Sequence, residues 1–385
     1  MKKSLVMLGL VASCVAMGPA SGADWVIGNV SPTTGPLAAS GNDLRAGAQL
    51  AFNTINNKGG VSGRKLRFVA EDNADQSALS VSKARELIAK EHPIAFLATG
   101  DSVGSEALVR EKVFAQAGIP LVGAKTGALA AAQSGQSEIF LTRATYADEL
   151  AAILKHCSVS GMKKIAFIYQ NDSFGKDVLA AAQKLAGPAG VEIVVTASYE
   201  PAAESVIQPV QTDKAVKAVL AVPHQAVIFA ATTPATADFV QVYNPARGAF
   251  GVRFALSSSE APLVVQRAGI APSRGLVIAQ VVPSVRNESK PIIRKLIADL
   301  RAGGAEIEDV NPSPSFVEGY IAAQVLIEGL RRAGPAADAA KLTQALQGLR
   351  NFDLGGYAIS FDSSSRSGSN FVELAVISST GEAIR

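Results

Sequence analysis

The run Trp25-Val26-Ile27-Gly28-Asn29-Val30 reads as a strand, and it is followed by a turn rich in Gly, Pro and Thr, a stretch of helical spacing over 42–56, and a second apolar run, Lys65-Leu66-Arg67-Phe68-Val69. Leu44, Ala48, Ala51, Phe52 and Ile55 recur at the spacing that lines one face of a helix, and Gly59-Gly60 ends it. A strand, a helix and a strand in that order form the unit from which parallel sheets with helices on both faces are built. Outward from it the unit recurs: a helix over 77–90, a strand at Ile94-Ala95-Phe96-Leu97 and another at Ile119-Pro120-Leu121-Val122.

A second series begins near Tyr146. It holds a helix to His156, the strand Lys164-Ile165-Ala166-Phe167-Ile168-Tyr169, a helix over 175–185, and strands at Glu192-Ile193-Val194-Val195 and Ala218-Val219-Leu220-Ala221-Val222. The stretch 275–283 is again strand-like, and 316–332 makes a long apolar helix. No low-complexity linker separates the two series. That fits an α/β chain crossing between two lobes several times better than two beads on a string. In such open sheets ligands sit at the carboxyl ends of strands, where loops meet helix N-termini, so the loops after each strand are the ones to search.

At 385 residues the chain exceeds the roughly 250–300 at which one core stops growing, which again gives two lobes. Its 36 Lys and Arg nearly balance 33 Asp and Glu and form no basic stripe, which sets nucleic-acid binding aside. At the start, Lys2 and Lys3 precede an apolar run over 5–17, Pro19 and the small residues Ser21 and Ala23. This is the layout of a secretory signal over 1–23, with a mature chain from Asp24 in the periplasm. The run is shorter than the about 20 residues of a membrane span. Val11-Ala12-Ser13-Cys14 offers an alternative, a lipid-anchored form through Cys14. Without the signal only Cys157 of the two cysteines remains, so no intrachain disulfide forms and the fold rests on its core.

Gly100-Asp101-Ser102-Val103-Gly104 matches the G-x-S-x-G nucleophile elbow and lies between an expected strand and an expected helix. A serine hydrolase also needs a general base, and the histidines downstream are His156, within a helix, and His224, placed just after a strand. Neither sits near the C-terminus after an acid loop. Ser102 and Ser105 therefore read as polar groups at a helix start, serving as cap and ligand hydroxyls. The segment ending Gly123-Ala124-Lys125-Thr126 resembles a phosphate loop with the wrong spacing and an apolar interior, and three scattered histidines form no metal site. No cofactor is expected.

Taken together, the segments Ser31-Pro32-Thr33-Thr34-Gly35-Pro36-Leu37-Ala38, Gly47-Ala48-Gln49-Leu50-Ala51-Phe52-Asn53, Gly59-Gly60-Val61-Ser62-Gly63-Arg64-Lys65-Leu66, Glu71-Asp72-Asn73, Gly118-Ile119-Pro120-Leu121-Val122 and Asn171-Asp172-Ser173-Phe174-Gly175-Lys176-Asp177 are specific in their order. In that order the chain resembles the type I periplasmic solute-binding proteins of the leucine, isoleucine and valine receptor group, over essentially all of its mature length. The resemblance implies two Rossmann-like lobes joined by three crossovers, one from 24–143 plus 283–345 and the other from 144–282 plus 346–385. It implies a monomer that closes around a small ligand, an amino acid or related carboxylate, and delivers it to the membrane permease subunits of an ABC transporter.

The resemblance also places the ligand loops at Ser102 to Ser105, at Ala124 and Thr126, at Phe174 and at Ser257 to Glu260. The first two would grip a carboxylate through hydroxyls and amides at helix N-termini. Phe174 would be an aromatic wall, and Glu260 would hold an amino group. Ser40 stands where the amino-acid receptors carry a tyrosine, Phe174 lacks the hydroxyl of many relatives, and Gly104 falls where a gripping serine is common. Lys125 adds a positive charge beside the carboxylate loop. A secreted hydrolase using Ser102 and a ligand-binding sensory subunit stay open as alternatives.

Overall fold

The computed structural model describes residues 23–133, 135–201, 212–247, 251–362 and 366–385. The expected signal segment and Cys14 lie outside the described residues, apart from Ala23. The first lobe carries β1 (Trp25–Ser31), β2 (Leu66–Asp72), β3 (Ala95–Leu97), β4 (Leu121–Val122) and β5 (Ile139–Phe140). They form one all-parallel sheet in the order β2-β1-β3-β4-β5. The second lobe carries β6 (Lys164–Gln170), β7 (Glu192–Tyr199), β8 (Ala226–Ala230), β9 (Val252–Ala255) and β10 (Leu276–Gln280). A short hairpin, β11 (Phe352–Asp353) with β12 (Ala358–Ile359), precedes β13 (Glu373–Ile377) and β14 (Ala383–Ile384). The second sheet runs β14-β13-β10-β9-β8-β6-β7, parallel except for the antiparallel β13 and β14 at one edge.

Both sheets are buried on two faces, and the alternation of side chains along a strand sorts each into two cores. Val122 and Phe140 pack with Trp25 and Phe52 on one side of the first sheet, while Leu121 and Ile139 pack with Phe96 and Phe114 on the other. In the second sheet Ile168 and Phe229 face one core and Phe167 and Ile228 the other. This explains why the strands are short continuous apolar runs.

The helix Ala38–Asn57 lies against the helix Pro314–Ala333 at backbone contact. A Cβ on Gly47 would stand 1.9 Å from the carbonyl oxygen of Phe316, and one on Gly319 would stand 1.9 Å from that of Leu44. Only glycine permits this approach. It seats Ser313 and Ser315, at the start of the second helix, beside the cleft.

Two expectations change. The run 218–222 is not a strand: the helix Asp213–Leu220 occupies most of it and buries Ala215, Val216 and Val219 on one face. The strand is β8, the wholly buried Ala226–Ala230, so His224 precedes a strand rather than following one. The lobe boundary at 345/346 also falls inside a packed segment, since Leu346, Leu349, Tyr357, Ile359 and Phe361 share the core of Trp25 and Phe52. We therefore place the third crossing after Phe361.

Candidate functional site

The carboxyl ends of the two sheets enclose a cavity of about 230 Å³ between the lobes. From the first lobe it is lined by Leu37, Ser40, Asp101, Ser102 and Lys125, on the loops and helix starts that follow β1, β3 and β4. From the second it is lined by Tyr146, Gln170, Asp172, Phe174, Tyr199, Thr232 and Ser258, and Arg143 reaches it from the first crossing. The polar groups come from strand ends because there the backbone leaves the sheet and the following helix presents free amides.

Asp101 caps the helix Ser102–Arg110 by accepting from the amide of Gly104 at 2.6 Å. Ser102 is thereby the first helical residue rather than the cap, and its hydroxyl is free to face the cavity. It accepts from Thr126 Oγ1 at 2.9 Å and lies 3.0 Å from the Tyr146 hydroxyl. Thr126 is fully buried and accepts from the amide of Ala128 at 3.1 Å, ahead of the short helix Leu129–Ala132. The three hydroxyls form a chain that carries the polarity of Thr126 out to the cavity wall.

Ser102, Ser40 and Phe174 thus line the cavity, as does Lys125. Ser105, Gly104, Ala124 and Thr126 do not line it. Ser105 is buried 3.4 Å from the Thr99 hydroxyl, Gly104 is occupied by its cap, and Ala124 belongs to the core behind Phe96. Phe174, near the start of the helix Ser173–Ala186, packs edge-on against Tyr146 with ring centres 5.2 Å apart and walls the second-lobe side.

Glu260 sits at the start of the helix Ala261–Ala268 but does not cap it. Its carboxylate turns across the cleft and is 1% exposed. It accepts from the Ser40 hydroxyl, from the hydroxyl and amide of Ser315 at 2.8 and 3.3 Å, and from Lys125 Nζ at 3.2 Å, all in the first lobe. Burial penalises its charge, but Lys125, Ser40 and Ser315 outweigh that and hold the carboxyl below its ordinary pKa. Burial likewise opposes the Lys125 ammonium, and the carboxylates of Glu260 and Glu318 raise its pKa nonetheless.

Arg143 is the second bridge. Its guanidinium joins Glu318 of the first lobe at 3.1 Å to Glu149 of the second at 2.8 Å, and it also donates to Ser257. Ser257 returns its amide and hydroxyl to Glu149 at 2.7 and 2.6 Å. Burial works against the Arg143 charge, yet Glu318 and Glu149 push its pKa upward.

Sequence reasoning missed Arg143, Tyr146, Gln170, Tyr199 and Thr232, whereas Ser258 falls in the expected loop from Ser257 to Glu260. The rule of searching strand ends points at Gln170 and Tyr199, the last residues of β6 and β7, and Thr145-x-x-Asp148 marks the helix start that presents Tyr146. No histidine serves Ser102. His224 is bonded to Tyr243 at 2.7 Å and to the carbonyl of Val222 at 2.8 Å, and His156 packs on Phe254. Among the described residues no group of three His, Cys, Asp or Glu side chains is placed to hold a metal, and no helix is long and apolar enough to cross a membrane.

Two α/β lobes facing each other across a small cavity lined by both polar and apolar side chains form the architecture of a ligand-binding protein. The family model described as periplasmic binding protein matches residues 24–382, and the chain belongs to that family. A substrate-binding periplasmic protein from Ralstonia solanacearum superposes with a TM-score of 0.85 at 32% identity, over 94% of this chain and 99% of that one. A branched-chain amino acid transporter substrate binding protein of Streptococcus pneumoniae, in complex with isoleucine, shares the fold at a TM-score of 0.77 and 19% identity, over 94% and 97% of the two chains. Leu/Ile/Val-binding protein homolog 7 of Brucella suis is 31% identical over 210 residues, 52% of this chain. The matched region spans 51% of that relative, so the chain spans about half the length of the curated relatives it matches.

Proposed function

We propose that the chain is the extracytoplasmic receptor of an ABC importer, a monomer that captures a small carboxylate-bearing ligand between its lobes and presents it to membrane permease subunits. The observation that carries this reading is the cavity itself: about 230 Å³, walled by the aromatic rings of Phe174 and Tyr146, with Lys125, Arg143 and the Ser102 hydroxyl turned into it. A volume of that order suits a molecule of amino-acid size and leaves no room for a polymer. Contacts of Glu260 with Ser40, Ser315 and Lys125 join the lobes directly across the cleft, which supports capture by closure about a hinge. The names of the relatives make branched-chain amino acids the first ligands to try, with their oxo acids and small aromatic acids beside them.

A thermal-shift screen of these carboxylates tests the reading, because a ligand that binds only the native state raises the melting temperature. At least one is expected to raise it in a concentration-dependent way, and small-angle scattering with that ligand is expected to report a compact, closed pair of lobes. A screen in which no carboxylate moves the melting temperature would remove the proposal.

A further inference from the structure

The charges at the floor of the cleft are layered. Lys125 and Arg143 face the cavity, whereas Glu149, Glu260 and Glu318, which compensate them, do not line it. An ammonium-bearing ligand needs a buried carboxylate to receive it, since an unpaired charge inside a closed cleft carries a large desolvation cost. Glu260 is the carboxylate closest in character to that role, and its oxygens are already occupied by Ser40, by the hydroxyl and amide of Ser315, and by Lys125. The protein's own ammonium, at Lys125, already holds this carboxylate.

The other lining carboxyls offer little in its place. Asp101 receives the amide of Gly104, and Asp172 receives the amide of Gly175 at 3.0 Å together with the Gln170 side chain at 2.5 Å. Asp75, on the loop after β2, is partly exposed, where water screens an ion pair.

The donors tell the complementary story. An ammonium has three N–H donors. Among the described residues Lys125 Nζ meets one acceptor, Glu260, at 3.2 Å, although its side chain is only 10% exposed. Two donors on a nearly buried cation are therefore left for whatever fills the cavity, and the Ser102 and Tyr146 hydroxyls stand on the same wall.

We infer that Lys125 is a specificity-determining residue of this site: it docks a carboxylate or carbonyl of the ligand and, by occupying Glu260, selects molecules that lack an α-ammonium, such as oxo acids and aromatic acids, over the corresponding amino acids. This rests on the cleft being the ligand site proposed above. It makes the amine, rather than the side chain, the group on which the receptor discriminates.

Calorimetry on the full chain with pairs differing at the amine tests it: leucine against 4-methyl-2-oxopentanoate, and phenylalanine against phenylpyruvate. The oxo acid of at least one pair is expected to bind tighter than its amino acid by roughly tenfold to a hundredfold, the worth of one charge-assisted hydrogen bond. Lys125→Met is expected to abolish or reverse that preference by freeing Glu260. Glu260→Gln, which keeps the ammonium and removes its counter-charge, is expected to strengthen the oxo acid further and leave the amino acid no better. A wild-type protein that binds the amino acid as tightly as its oxo acid overturns the inference while leaving the receptor reading in place. A ratio of affinities unchanged in both variants also overturns it. If no carboxylate of either kind binds, the receptor reading falls and the inference falls with it.

Discussion

The hydroxyl of Tyr357 donates to the carbonyl oxygen of Thr142 at 2.8 Å, tying a first-lobe hairpin residue to the first crossing between the lobes. The same hydroxyl lies 3.0 Å from the carbonyl oxygen of Val281, in the second crossing. The third crossing joins the first at Leu141, which bonds to the backbone of Arg366 and Gly368 at 2.8 and 2.7 Å. One buried phenol thus fastens two of the three crossings to each other.

Replacing Tyr357 with Phe keeps the ring in its core and removes the single O–H that the carbonyl oxygens of Thr142 and Val281 share. The expected cost is about 1–3 kcal/mol of stability. Urea unfolding checks it: the midpoint falls while the slope stays at its wild-type value, because the surface exposed on unfolding is unchanged. An unmoved midpoint would show that water replaces the phenol without loss.

Thr126 and Ser102 should separate stability from binding. Thr126 is fully buried and touches the cavity only through Ser102, whereas Ser102 lines it. Thr126→Ala is expected to cost about 1–2 kcal/mol of stability through the lost bonds to Ser102 and the Ala128 amide. Ser102→Ala is expected to weaken ligand binding more and stability less. Melting curves and calorimetry on both variants decide; a larger loss of affinity in Thr126→Ala reverses the assignment.

The helix pair built on Gly47 and Gly319 has no slack. Gly319→Ala drives a methyl group into the backbone of Leu44, so the helices must part. Overpacking of this kind costs about 1–3 kcal/mol and occasionally more. Because Ser315 starts the same helix and holds Glu260, both stability and ligand affinity should drop together in this variant. A variant as stable as the wild type would show that the helices separate freely.

Acid stability should carry the mark of Asp72. Burial opposes its charge, but the amides of Thr33 and Ala74 and the hydroxyl of Thr34 outweigh it and lower its pKa from the ordinary 3.8 to about 2. A carboxyl depressed in the folded state contributes stability that is present above its unfolded pKa and lost as pH falls through the folded one. Stability is therefore expected to decline between about pH 4 and pH 2, and Asp72→Asn should flatten that part of the profile. The group is partly exposed, so the amplitude is reduced by solvent screening. Unfolding midpoints across that range in both proteins check the prediction; parallel profiles would exclude Asp72 as a contributor.

The amino-acid sequence by itself determined the α/β class, the two lobes and most strands and helices, because each buried element carries its own periodicity. Trp25 to Val30, Lys164 to Tyr169 and the glycine pair at 59–60 are legible without a partner. It also marked the loops of Ser40, Ser102, Lys125 and Phe174, since strand ends feeding helix starts are local features. The apolar run at 218–222 misled because a short buried stretch reads alike as helix or strand until its neighbours are known. What only the tertiary structure decided was which of these groups face the ligand and which face each other. Thr126 and Ser105 point into the lobe, Arg143 reaches in from a crossing, and Glu260 meets Ser40, 220 positions away in the chain, and Lys125, 135 away. Those pairings depend on the closure of two lobes upon one another, and no spacing along a single strand or helix encodes them.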